Sequence, residues 1–265
     1  RMGGIEPRYR TTRSIYYLLQ QIYKYQSELS ATRRIPDRHI TMLDDAINYP
    51  RSGTDPAKTI LIGGVLLLLS VLLVPAALVT GYVVRVVRSV SAGEGEPPAF
   101  EAWGELLVEG AKGMAVVLAY VVVPTVALGG VVAAGALLGT RIGAAVALLG
   151  VLVTLPLWLA AWYVGSAGFI NFAVTGRLRA AFEFGTLRPI LTSGAFATAW
   201  LLGVGVLVVG GVVAGVIGAV PIVGLLGAFV SVYATVAAAY CYARGFDDAT
   251  SVGSAPEPPE VDPAV

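Results

Sequence analysis

The chain has 265 residues, of which 56% are hydrophobic and only 13% charged, and its formal net charge is +1. That composition lies outside the range of water-soluble domains, where about a quarter of residues are charged, and the mean hydropathy of +0.76 agrees. One cysteine and one histidine exclude a disulfide framework and a Cys/His metal cage within one chain.

Residues 1–41 differ from everything downstream: they are rich in Arg and Tyr, hold the only histidine, His39, and open on Arg1 rather than Met. They contain no apolar run of signal-peptide length. A weak helical pattern at Ile15, Leu18, Ile22, Tyr25 and Leu29 suits one surface helix. Met42 reads as the native start, with 1–41 an upstream translation or an appended segment. From Met42 onward there are ten basic and fourteen acidic residues, a net charge of −4.

Five apolar segments follow, about 59–84, 113–138, 142–174, 195–219 and 222–243. The 55 residues 189–243 contain no Asp, Glu, Lys or Arg. A buried helix of a soluble domain does not need such a run, whereas each charge at a span centre costs about 2.5 to 3.5 kcal/mol on insertion scales. At 1.5 Å per residue, about 20 residues cross a hydrocarbon core of about 30 Å. The third segment is too long for one crossing and holds Pro156, which predicts a kink or an extension beyond the interface. No period-2 alternation points to a barrel, so the fold class is all-α, a polytopic membrane helix bundle of about five transmembrane helices.

Between the first two spans, Pro97 and Pro98 precede an amphipathic helix over 99–111. Phe100, Trp103, Leu106, Leu107 and Gly110 share one face, and Glu101, Glu105 and Glu109 the other. Phe100, Trp103 and Leu107 are the candidate interfacial residues. The glutamates read as a solvated face, or as a cation-binding row if ligands converge from elsewhere. A related block recurs: Ala99-Phe100-Glu101, Trp103-Gly104, Leu106 and Gly113 align with Ala181-Phe182-Glu183, Phe184-Gly185, Leu187 and Gly194. A parallel internal repeat of span, interfacial helix, span would produce this.

Seven basic residues near span ends (Arg85, Arg88, Lys112, Arg177, Arg179, Arg188 and Arg244) fall on one side and three (Arg51, Lys58 and Arg141) on the other. With five crossings this places 85–112, 175–194 and the C-terminus in the cytoplasm, and the N-terminus outside. The expected domains are the extension 1–41, a transmembrane domain 42–245, and an acidic, Pro-rich, disordered tail 246–265. Small-residue ridges such as Gly135/Gly139 and Gly211/Gly215/Ala219 suit close helix packing.

No Ser/His/Asp or Cys/His set, Walker A loop or HExxH motif occurs, so no enzyme, cofactor or metal site is expected. Nor does any ionisable Asp, Glu, Lys or Arg sit at mid-membrane depth, which removes the usual coupling site of a pump. Asn171 is the polar side chain most costly to bury. It is the candidate for a functional contact, beside the plainer reading of an interhelical hydrogen bond.

Tyr49-Pro50, Lys58-Thr59-Ile60-Leu61-Ile62-Gly63-Gly64, Val74-Pro75-Ala76 and Gly81-Tyr82 lead to Glu96-Pro97-Pro98-Ala99-Phe100-Glu101-Ala102-Trp103-Gly104-Glu105-Leu106. With Thr175-Gly176-Arg177-Leu178 and Ala180-Ala181-Phe182-Glu183-Phe184-Gly185, this pattern resembles the archaeal integral-membrane family catalogued as domain of unknown function 4013. The resemblance covers about 42–245 and supports Met42 as the start. It implies a multi-pass cell-membrane protein of salt-loving archaea without an assigned activity. Two functional readings stand: a non-catalytic membrane component working through lipid or protein contacts, and a transporter or permeation subunit. The expected partners are the lipid bilayer and a membrane protein or a second copy of the chain, not nucleic acid.

Overall fold

The computed structural model describes residues 38–220 and 223–253. The chain divides into two compact units, Arg1–Met42 and Leu43–Val265. Of the first unit only residues 38–42 are described, as the opening of a helix; the pattern expected at 15–29 lies outside the described residues. Among the described residues the fold is all-α: eight α-helices, short 3₁₀ turns and no strand. The helices are α1 (Arg38–Asn48), α2 (Pro56–Leu68), α3 (Leu73–Ser91), α4 (Trp103–Leu137), α5 (Thr140–Thr175), α6 (Phe184–Leu191), α7 (Gly194–Gly218) and α8 (Leu226–Gly253). Five of them, α3, α4, α5, α7 and α8, are long and apolar enough to cross a membrane.

The segment 59–84 is not one helix, as its unbroken hydropathy predicts, but two. Pro75 favours the break: in a continuous helix its ring would strike the carbonyl of Val71 and one backbone hydrogen bond would be lost. The chain therefore stops at Leu68 and restarts at Leu73, which leaves Pro75 in the first turn, where it is tolerated. Helix α2 opens on Asp55, whose carboxylate accepts from the Lys58 amide, followed by Pro56 at the first helical position. Its 13 residues rise only about 20 Å, short of a core of about 30 Å.

The two limbs form a hairpin that returns to the end it left. Tyr49 donates through its hydroxyl to the Glu96 carbonyl at 3.1 Å, and Ser52 to the Gly95 carbonyl at 2.9 Å. The start of α2 thus meets the end of α3. Burial pushes the Tyr49 phenol above its ordinary titration range, so it remains a proton donor there. Limb α2 runs antiparallel to α8, with Gly63 against Val232 and Gly64 against Phe229.

Helices α4 and α5 form a second antiparallel pair, in contact from Gly113 against Phe169 through Tyr120 against Gly165 to Gly135 against Gly143. Their 35 and 36 residues correspond to about 52 and 54 Å, so both extend past a hydrocarbon core. Each helix continues through its proline, Pro124 or Pro156. Helices α7 and α8 form the third pair, with Gly203 against Tyr242 and Gly210 against Ala234. By contrast, Gly211 and Gly215 face open space; that expected ridge packs against nothing among the described residues.

One end of the bundle, here the near end, gathers the start of α2, residues 92–102, residues 176–193 and the end of α8. The far end carries residues 138–139, 219–220 and 223–225. Helix α8 runs on to Gly253, so residues 246–253, assigned to a disordered tail by their charge, are helical. The reason is packing: Phe246 and Ala249 are buried. Residues 254–265 lie outside the described residues.

Candidate functional site

The near end is organised around two arginines of α3. Arg85 donates to the Glu101 carbonyl at 2.6 Å and pairs with Glu105 and Glu109, each at 3.4 Å. One turn on, Arg88 pairs with Glu109 at 2.8 Å and donates to the Ala173 carbonyl of α5 at 3.1 Å. Glu109, only 23% exposed, is held between both guanidiniums, whereas Glu105 is 79% exposed. The Arg85 fork also reaches the Ala102 carbonyl, and among the described residues Ala102 is the non-glycine residue with positive φ, 49°. The guanidinium thereby holds a left-handed backbone that an alanine adopts at a cost of about 1 to 2 kcal/mol.

Below this cluster lies a groove of about 570 Å³, formed between α2, α3, α4, α5, α7 and α8. Its wall is mostly Val, Leu, Ile, Ala, Gly and aromatic residues, with Pro124, two threonines and a serine, and with no Asp, Glu, Lys, Arg or His among the described residues. Its volume and apolar lining fall in the range of small-molecule sites, about 300 to 1,000 Å³. Five lining side chains carry hydroxyls: Thr80, Tyr120, Ser166, Thr235 and Tyr242. Four of these donate to carbonyls: Thr80 to Ala76, Tyr120 to Ala181, Ser166 to Tyr163 and Thr235 to Ser231. The Tyr242 hydroxyl is buried without a hydrogen-bond partner among the described residues.

The second near-end segment is fixed by three polar side chains rising out of the helices. Asn171 donates to the Ala180 carbonyl at 2.9 Å, Tyr120 to Ala181 at 2.7 Å and Tyr163 to Leu191 at 3.0 Å. These carbonyls belong to a turn and a short helix, where backbone acceptors lack a continuous helical partner.

A family model described as "Protein of unknown function (DUF4013)" matches residues 65–219. The chain belongs to this family. The matched stretch runs from the last turn of α2 to the end of α7; the portions 42–64 and 220–245 of the resemblance lie outside it. Helix α8, which contributes Thr235, Ala238, Ala239 and Tyr242 to the groove, also follows the match. No curated protein matches the chain. No solved structure matches it either.

Within this family member the expected interfacial residues separate. Helix α4 starts only at Trp103 and is continuous with the second span, so 99–111 is not a separate helix. Phe100 precedes it and is buried, stacked on Tyr82 at a centroid distance of 4.0 Å. Trp103, 46% exposed, and Leu107 remain on the surface. The helical spacing placed Phe100 on their face, but the left-handed residue Ala102 turns it inward. The glutamate row is neither a bare solvated face nor an open cation row, because Arg85 and Arg88 occupy its inner members. Asn171 is buried and serves a turn carbonyl nine residues on.

Arg85 and Arg88 were missed as site residues. Their spacing at the end of one helix, followed by Glu105 and Glu109 at the start of the next, was the available signal. The groove could not be read from sequence, since its wall is made of the same residue types as a lipid-facing surface. In the two related blocks, Leu106 and Leu187 are both fully buried, yet the first block merges into α4 while the second forms α6, a helix of its own.

Proposed function

We propose that the chain is a non-catalytic, multi-pass component of the cell membrane that acts through lipid contacts. The observation that carries this reading is a sizeable groove among apolar helices with no Asp, Glu, Lys, Arg or His among the described residues of its wall. Proton-coupled transport and acid–base chemistry draw mostly on such groups, whereas an apolar ligand needs none. The permeation reading draws on the break between α2 and α3, because discontinuous helices beside a cavity are a feature of many transporters. Flux of small ions and neutral solutes into proteoliposomes tests between the two. The expected result is no flux above protein-free vesicles; solute-specific flux lost on Asn171→Leu would establish the permeation reading instead.

We further propose that the near end is cytoplasmic. With the α2–α3 hairpin returning to its starting end, Arg51 and Lys58 join Arg85, Arg88, Lys112, Arg177, Arg179, Arg188 and Arg244, and the far end retains Arg141. Nine against one is a stronger bias than the seven against three expected from five simple crossings. Single cysteines at Thr54, Glu94 and Thr186 should then all resist an impermeant thiol reagent applied to intact cells. Labelling of Thr54 alone would restore the five-crossing topology, and labelling of all three would reverse the orientation.

A further inference from the structure

The second near-end segment, residues 177–188, does not project away from the bundle. Its Ala181 carbonyl lies against Gly168, two turns before α5 ends at Thr175 and so about 10 Å below that end. Asn171, one turn before the same end, holds the neighbouring Ala180 carbonyl. The Phe182 ring stacks on Tyr120 at a centroid distance of 5.5 Å, two turns past Lys112, where the charge-free stretch of α4 begins. The segment thus folds back against α4 and α5, to the depth at which a bilayer passes from hydrocarbon to headgroups.

Its exposed side chains are of two kinds. Leu178, Phe182 and Phe184 are 41%, 40% and 59% exposed, apolar surface that suits the interface. Beside them stand Arg177, Arg179 and Arg188, all exposed. Arg177 pairs with Glu183 at 3.4 Å, the one acid of the segment. The guanidiniums of Arg179 and Arg188 make no ion pair or hydrogen bond among the described residues, and three arginines against one glutamate leave the segment at +2. The first near-end segment is the reverse: residues 92–102 hold Glu94, Glu96 and Glu101 and no basic residue, while Arg85 and Arg88 of α3 are engaged by Glu105 and Glu109.

Building on the lipid-contact reading above, we infer that residues 177–188 form a surface for anionic phospholipid headgroups, with Arg179 and Arg188 donating to phosphate oxygens and Phe182 and Phe184 lying against the upper parts of the chains. A guanidinium matches a phosphate with two parallel hydrogen bonds. An acidic stretch of a soluble protein would match the charge and leave the phenylalanines uncovered at lipid depth. A zwitterionic lipid would cover the phenylalanines and bring its own cation to the arginines.

The test is native mass spectrometry of the full chain in mild detergent carrying equal amounts of phosphatidylglycerol and phosphatidylcholine with the same chains. Wild type should retain phosphatidylglycerol about tenfold over phosphatidylcholine, and Arg179→Gln and Arg188→Gln should each cut that preference about fivefold, the scale of one basic side chain at an anionic surface. Arg141→Gln, the same charge change at the far end, should leave the preference unchanged, and Arg179→Lys should keep most of it. All these side chains are exposed, so melting in detergent should not move. A local readout is hydrogen exchange in lipid nanodiscs: residues 177–191 should exchange more slowly in phosphatidylglycerol than in phosphatidylcholine, with 92–102 unchanged.

Equal retention of the two lipids by wild type, a preference untouched by both arginine substitutions, or an equal loss from Arg141→Gln would overturn the inference. Displacement of phosphatidylglycerol by inorganic phosphate would reassign the arginines to a free anion, and protection of 177–191 by polyglutamate but not by phosphatidylglycerol would reassign them to an acidic protein; either result overturns it as well. Loss of the headgroup preference without solute flux would leave the lipid-contact reading of the groove standing. Solute flux would remove that functional reading whichever lipid is retained.

Discussion

The two ends of the bundle are built differently. In the near half, Val84, Val86, Leu106, Val116, Ala173, Ala181, Leu187 and Phe196 are essentially inaccessible, and arginine–glutamate pairs and side-chain-to-carbonyl hydrogen bonds join neighbouring elements. In the far half, long stretches of α4, α5 and α7 leave apolar side chains exposed, among them Val126, Leu148, Leu152, Val153, Val209 and Val216. The tip of the α2–α3 hairpin is similar, with Val71 96% exposed. The near half is held by the protein's own packing. The far half leaves that surface for hydrocarbon to cover, because in water so much contiguous apolar area would drive association. Mutations at the two ends should therefore differ in size, and the predictions below set matched positions against each other.

The largest contrast should come from glycine. A Cβ at Gly81 would run into the Leu106 carbonyl and one at Gly110 into the Ala77 carbonyl, so α3 and α4 touch backbone to backbone. Gly110→Leu should destabilise the chain by about 3 kcal/mol or more. Gly215→Leu, toward open space in the far half, should stay within about 0.5 kcal/mol. Equilibrium unfolding in detergent micelles measures both, and similar losses at the two sites would erase the distinction between the halves.

Removal of a shared carboxylate comes next. Glu109→Gln leaves Arg85 and Arg88 without their common partner in a partly buried site and should cost about 1 to 2 kcal/mol. Glu105→Gln, at a largely exposed side chain, should cost less than about 0.5 kcal/mol. If Glu105 proved the costlier of the two, the cluster would be organised around the wrong carboxylate.

Asn171→Leu should cost about 1 kcal/mol, the scale of one hydrogen bond in an apolar setting. Its effect should be confined to the 178–191 segment, read as faster hydrogen exchange there with α7 and α8 unchanged. Uniformly faster exchange would mean that Asn171 holds the bundle rather than the turn. The smallest effect expected is a gain: Ala102→Gly should stabilise the chain by up to about 1 kcal/mol by relieving the left-handed backbone at φ 49°. A loss on that substitution would show that the alanine methyl contributes packing that outweighs the strain.

Sequence alone determined that this chain is helical and made for a bilayer, because long charge-free runs admit few other solutions in water or in lipid. It also placed four of the five long helices, α5 and α7 nearly end to end and α4 and α8 in large part, since hydropathy is a property of local segments. Tertiary structure decided the rest. The first apolar segment became a hairpin; Pro75 favours the break without compelling it, since α4 and α5 run on through Pro124 and Pro156, and hydrogen bonds between residues 40 or more apart show that its two ends meet. Phe100 turned inward through a single left-handed residue that no periodicity announces. The arginine–glutamate cluster and the groove depend on which helix faces which. In a chain whose lipid-facing and protein-facing residues are both Val, Leu, Ala and Gly, composition cannot tell one face from the other.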